Sequence, residues 1–154
     1  MSNLKILLVE PISKHAIQRI GTCCRHNLWS AHWLMTRSNK LKEMAEDFGC
    51  AIFFDSLNES VEEVLKTVSK ERYDAVVPAS EFAVPMAEAL AQRMGLYHNT
   101  LDIVSCYSDK SKMRKLFRQH GISQPSMLHE LTSESQIDGI DWKALEYPVV
   151  AKPA

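Results

Sequence analysis

The stretch "LKILLVEP", Leu4–Pro11, decides the fold. From Leu4 to Val9 it is apolar apart from Lys5, without the alternation of a half-exposed strand, which marks a strand covered on both faces of a parallel sheet. Pro11 ends the run, and Ile12, Ala16, Ile17 and Ile20 follow at helical spacing, with Gly21 placed to stop the helix. A strand feeding a helix is the first half of a parallel crossover.

The same rhythm repeats downstream. "LWSAHWLM", Leu28–Met35, precedes Ser38 as a helix cap, Leu41, Met44, Ala45 and Phe48 at steps of three and four, and Gly49 as a stop. "AIFF", Ala51–Phe54, precedes Ser60 with Glu63 three residues on, a capping box, and then Val61, Val64, Leu65 and Val68. "YDAVVP" precedes Ala83, Ala87, Leu90 and Met94, with Gly95 as the stop. Four such cycles within residues 1–95 predict an α/β fold, an open parallel sheet flanked by helices on both faces and joined by right-handed crossovers. The usual open order, 3-2-1-4, puts a ligand crevice at the carboxyl ends of strands one and four.

After Gly95 the pattern changes. A small helix is expected near Asp102–Tyr107, then a stronger one capped by Ser108, with Met113, Leu116 and Phe117 on its apolar face and Gly121 closing it. Pro125 opens an extended segment, a polar stretch runs from Thr132 to Asp141, and "YPVVAKPA", Tyr147–Ala154, reads as a terminal strand.

Bulk properties narrow the function classes. A net charge of -1 over 154 residues provides no field favouring nucleic acid or anionic lipid, and no apolar stretch is long enough to span a bilayer, so neither nucleic acid nor membrane is expected as a partner. Cys23, Cys24, Cys50 and Cys106 are scattered through a chain with no recognisable secretory leader, which points to free thiols in the reducing cytoplasm. Cys23, Cys24, His26 and His32 lack the ligand separation of a structural zinc site, and no metal is assigned. Trp29 and Trp33 read as core residues, and His98, His120 and His129 have no triad-like company.

The most specific sequence lies in three blocks: "PASEFAVPMAEALAQRMGL" (Pro78–Leu96), "SDKSKMRKLFRQHGISQPS" (Ser108–Ser126) and the terminal "YPVVAKPA". Together they resemble the front of the ATP-grasp superfamily, which includes carboxylate-amine ligases, amino-acid ligases and biotin-carboxylase-like enzymes. The resemblance implies a Rossmann-like preATP-grasp domain at residues 1–100, linking helices at 101–121, and the start of an α+β ATP-grasp subdomain at 122–154. It further implies that Lys110, of the pair Asp109-Lys110, and Lys152, of the terminal strand, bind the phosphates of ATP. Compact ammonium groups on flexible stems suit a triphosphate.

The family's glycine-rich phosphate loop, its adenine-binding linker and its magnesium carboxylates do not occur in these residues. The resemblance therefore implies the N-terminal portion of an ATP-dependent ligase that joins a small-molecule carboxylate to an amine through an acyl phosphate. The portion would be inactive alone, with Mg²⁺ held by residues outside this chain. No catalytic residue is assigned, and a homo-oligomer is compatible with all of this. Residues from about Gly121 onward are expected to pack marginally, because a strand pair without sheet partners buries little surface.

Three further residues fall near the expected crevice: Glu10 past the first strand, and Ser80 and Glu81 past the fourth. They are candidates to meet a substrate amine, with helix-start roles favoured by capping and the macrodipole as the plainer alternative. A phosphorelay receiver-like or other non-catalytic α/β binding module is the competing reading, since "KILLVEP" resembles a receiver's first strand. Glu10 is followed by Pro11 where a receiver needs a second acid, and Glu10 to Lys152 exceeds a whole receiver in length. A dinucleotide-binding Rossmann domain is disfavoured because no Gly-x-Gly-x-x-Gly follows any strand.

Overall fold

The computed structural model describes residues 3–125, 128, 129, 131, 133–146 and 148–150. It divides into two compact units, Met1–Val104 and Ser105–Ala154.

The first unit is a parallel sheet of β1 (Lys5–Val9), β2 (Ser30–Thr36), β3 (Cys50–Phe54) and β4 (Ala75–Pro78) in the order β3-β2-β1-β4. The all-parallel pairing matches the expectation from sequence, and the order is the usual one of this fold class. They also argue against the receiver-like alternative, whose doubly wound order places strand three beside strand one. Between the strands run α1 (Lys14–His26), α2 (Lys42–Glu46) and α3 (Val61–Val68), and α4 (Val84–Arg93) follows β4.

The apolar run at the chain's front is buried as predicted. Leu7 and Val9 face one way, with Leu34 and Phe54, and pack against Val64 and Val68 of α3 and Met86, Ala87 and Leu90 of α4. Ile6 and Leu8 face the other way, with Trp33 and Met35, against Ile17 and Cys24 of α1 and Ala45 of α2. Each large side chain so covered contributes roughly 1.5–3 kcal/mol of transfer free energy.

Several element ends differ from expectation. Helix α1 does not stop at Gly21 but runs on to His26; a Cβ on Gly21 would lie 2.4 Å from the Phe48 ring, so the glycine serves close packing inside the helix. The left-handed turn comes instead at Leu28 (φ 59°), an exposed residue that precedes β2 and does not belong to it. Gly49 does not end a helix either: a Cβ there would sit 2.0 Å from the Ala31 carbonyl oxygen. Helix α2 starts after Leu41 with no side-chain cap hydrogen bond, so Ser38 does not cap it; the turn before it is held by Asn39, whose Oδ1 accepts the Leu41 N–H at 3.0 Å. The Ser60 half of the expected capping box is present, its hydroxyl accepting the Glu63 N–H at 3.3 Å. Gly95 terminates α4 in the left-handed region (φ 68°), also as expected.

Helix α5 (Leu101–Ser108) bridges the boundary between the units, and α6 (Lys110–Gln119) opens the second. Asp109, not Ser108, caps α6. Its half-buried apolar stripe of Met113, Leu116 and Phe117 follows the expected spacing, and Gly121 (φ 66°) closes it. A 3-10 segment, Glu134–Gly139, occupies the polar stretch. The expected terminal strand Tyr147–Ala154 lies mostly outside the described residues; of it only Pro148–Val150 are described, and these join no ladder, with Val150 78% exposed. An extended segment becomes a strand only through a hydrogen-bonded neighbour. No residue of the second unit with a described side chain is buried.

Candidate functional site

The carboxyl edge of the sheet is built by the turns after β1 and β4, which the pairing of Val9 with Pro78 brings side by side. Glu10 leaves β1 with a left-handed backbone (φ 45°) and is nevertheless 7% exposed. Its carboxylate is engaged: Oε2 accepts the Thr36 N–H at 2.6 Å, while Oε1 accepts the Thr36 hydroxyl at 2.8 Å and Asn39 Nδ2 at 3.0 Å. Asn39 Nδ2 also donates to the Pro11 carbonyl at 2.9 Å. One buried carboxylate thus ties the ends of β1 and β2 and orients both following turns. Ser13, not Glu10, starts α1, with its hydroxyl accepting the Ala16 N–H at 3.1 Å.

Beyond β4, Ser80 precedes a 3-10 turn, Glu81–Ala83. The Ser80 hydroxyl oxygen is buried and has no hydrogen-bond partner among the described residues, whereas Glu81 is exposed. Ile12 and Phe82, 59% and 72% exposed, stand on the turns that follow β1 and β4. The structure therefore brings Glu10, Ser80 and Glu81 to one edge, and leaves Glu81 as the carboxylate there that faces solvent. Sequence reasoning did not identify Thr36 and Asn39. Their signal was the polar pair following the apolar run of β2, opposite an acid that follows β1.

In the second unit, Lys110 is the first helical residue of α6. Asp109 Oδ1 accepts the backbone N–H groups of Ser111 at 3.0 Å and Lys112 at 3.1 Å. The Lys112 N–H, opposed by burial and supported by the Ser111 N–H and the Lys112 side chain, holds the Asp109 carboxyl below the usual carboxylate range. Lys112 Nζ lies 3.6 Å from Asp109 Oδ2, and Lys110 pairs with no carboxylate among the described residues. No acidic residue occupies the first turn of this helix. The Asp109 carboxylate is thus the anion that already meets the positive end of this helix, and Lys110 is the cation beside it that is left without a carboxylate partner among the described residues. Lys152 lies outside the described residues.

Among the described residues, no group of three or more His, Cys, Asp or Glu side chains is placed to hold a metal, and no helix is long and apolar enough to cross a membrane. The four cysteines are free thiols; burial, and then the neighbouring Cys23, push that of Cys24 up.

No family model matches the sequence, and no curated protein matches it either. Solved structures do. The L-amino acid ligase from Bacillus licheniformis superposes over 96% of this chain and 36% of its own, with a TM-score of 0.70 at 18% identity. The chain has the fold of the front of an ATP-grasp enzyme. Phosphoribosylglycinamide synthetase from Anaerococcus prevotii shows the same ATP-grasp front over 96% of this chain and 36% of that one, with a TM-score of 0.65 at 14% identity. The biotin carboxylase domain of the Hydrogenobacter thermophilus 2-oxoglutarate carboxylase, solved as a dimer with MgADP, ADP and bicarbonate, covers 96% of this chain and 34% of that one, with a TM-score of 0.63 at 13% identity. The chain thus spans about a third of the length of these structures.

Proposed function

We propose that this chain is the N-terminal portion of an ATP-dependent carboxylate-amine ligase, acting in the cytoplasm. Bound ATP would supply the phosphoryl group that activates the carboxylate as an acyl phosphate, which the amine then attacks. Lys110 and Lys152 contact the phosphates in this reading, and Glu81, with the Ser80 hydroxyl beside it, meets the amine. Mg²⁺ is held by carboxylates outside these residues, and the portion is inactive alone.

The observation that supports the phosphate assignment is Lys110, the first residue of α6, which pairs with no carboxylate among the described residues, whereas Lys112 is already paired with the capping Asp109. The chain's own residues fit a phosphate there. Asp109 already accepts the Ser111 and Lys112 N–H groups, so contact with an anion falls to the lysine side chains and not to the backbone.

Nucleotide affinity in the complete protein tests the proposal. Hydrogen bonds to charged groups contribute about 1.5–3 kcal/mol, so Lys110→Ala and Lys152→Ala should each raise the Kd for MgATP roughly ten- to hundredfold. Affinity unchanged in both variants overturns it.

A further inference from the structure

The β3 edge of the sheet is open among the described residues. Its sequence, CAIFF at Cys50–Phe54, holds no charge and no proline, the residues that ordinarily blunt an edge against strand addition. The opposite edge has such a device, because β4 ends on Pro78, which has no N–H to offer. The Arg37 N–H bonds to the Phe54 carbonyl at 2.9 Å, so Phe54 turns its backbone groups toward β2. The alternation of a parallel ladder turns Ile52 and Cys50 the same way, and Ala51 and Phe53 outward. No loop, cap or side chain of the described residues takes up these outward groups, apart from the Cys50 thiol at 3.9 Å from the Ala51 carbonyl oxygen. At the carboxyl end the free stretch is closed, since Glu59 Oε2 accepts the Asp55 N–H at 2.9 Å.

We propose that a second copy of this chain adds to this edge, with β3 pairing antiparallel to its own copy about a two-fold axis at Ile52. The free groups are self-complementary. Ala51 and Phe53 lie symmetrically about Ile52, so Ala51 of one copy stands opposite Phe53 of the other. In the hydrogen-bonded pairs of an antiparallel ladder, opposite residues exchange both N–H···O bonds, which is the arrangement these outward groups allow. Such an isologous contact closes at two chains and joins the two sheets into one. The ligase reading uses no part of this edge, and the proposal stands apart from it.

The charges flanking the strand fit the same symmetry. Just before β3, Arg25 lies over the Phe48 ring at 4.4 Å and donates to the Asp47 carbonyl. Just after it, Arg37 pairs with Asp55 at 2.7 Å, and all four charged residues are exposed. Antiparallel pairing sets the amino end of one strand beside the carboxyl end of the other. Arg25 then meets Asp55 of the second copy, and Arg37 meets Asp47, an arrangement that fixes register as well as adding attraction. An unrelated extended segment would gain the backbone bonds alone, whereas a second copy gains both.

Sedimentation equilibrium of the complete protein from low to high micromolar concentration, combined with amide exchange at Ala51 and Phe53, tests the contact. The mass should rise from one chain to two. The two amides exchange freely at an open edge, and should become protected at least about tenfold in step with the dimer fraction. Ala51→Pro suits an edge strand but removes the outward N–H, so it should keep its far-UV circular dichroism and raise the dimer Kd at least about tenfold. Asp55→Arg sets like charges against Arg25 and should also weaken the dimer, and Arg25→Glu in the same chain should restore it, a rescue that holds whether or not Ala51→Pro folds. A protein that stays monomeric overturns the proposal, even where another segment of its own chain protects the two amides. A dimer in which both amides still exchange freely overturns it too, as does one that neither Ala51→Pro nor Asp55→Arg weakens.

Discussion

The carboxylate of Glu10 accepts both the backbone N–H and the hydroxyl of Thr36, at 2.6 and 2.8 Å, across the ends of two neighbouring parallel strands. With Asn39 as a third donor, the carboxylate makes one unit of the turns that begin at the carboxyl edge of β1 and β2. An acid at this position can look like a ligand contact in the sequence and yet act by shaping the edge on which a ligand would sit.

Glu10→Gln should destabilise the chain by about 1–3 kcal/mol, because either orientation of the amide turns its NH₂ toward a buried donor and leaves that donor unsatisfied. Urea unfolding would measure this as a lower midpoint with an unchanged slope. An unchanged midpoint would mean that the three hydrogen bonds contribute nothing net.

Gly49→Ala should be costly for a different reason. Its Cβ would fall 2.0 Å from the Ala31 carbonyl oxygen, and that oxygen belongs to the backbone of β2, so no side-chain rotation can relieve the clash. Overpacking of this kind costs about 1–3 kcal/mol. The expected result is a drop in Tm, with a smaller loss in Gly21→Ala, where the clash is with the movable Phe48 ring.

How much of this was legible in the sequence follows from which interactions are periodic. Burial of β1 on both faces and the helices between strands come from patterns repeated over many residues, and they emerged as expected, whereas the order β3-β2-β1-β4 is the usual one of the fold class and is not written in the sequence. Element ends depend on single contacts between residues far apart in sequence. Gly21 looked like a stop because nothing local reveals that Phe48 will lie against it. Ser108 looked like a cap, but the carboxylate of the next residue reaches two N–H groups. At the candidate site, the gathering of Glu10, Ser80 and Glu81 at one edge followed from strand order. The engagement of Glu10 required knowing that Thr36 lies opposite it.

The His32 pKa lies below its ordinary 6.5 in the folded chain, so unfolded chains bind more protons as pH falls through that value. Stability should therefore be fully present above about pH 6.5 and decline as pH drops toward the folded pKa. Urea midpoints across pH 5 to pH 8 would show the decline, and His32→Gln should flatten it. An equal slope in that variant would assign the dependence to other groups.

The cap of α6 should titrate in a lower window. Asp109 has its pKa depressed by the Lys112 and Ser111 N–H groups, so its contribution is present above the ordinary carboxylate value and is lost as pH falls through the folded one. Asp109→Asn retains a side-chain acceptor suited to a helix start, and should keep α6 formed while removing this pH dependence. Asp109→Ala should fray the first turn at all pH values, with faster amide exchange at Ser111 and Lys112. Because Lys110 is the first residue of that turn, fraying also moves the ammonium that the ligase reading assigns to phosphate. The Asn and Ala variants therefore separate two roles for Asp109. If it acts through helix geometry, MgATP affinity in the complete protein should follow the exchange rates, near wild type for Asn and reduced for Ala. Equal loss in both variants would show that the charge of Asp109 itself matters to the nucleotide.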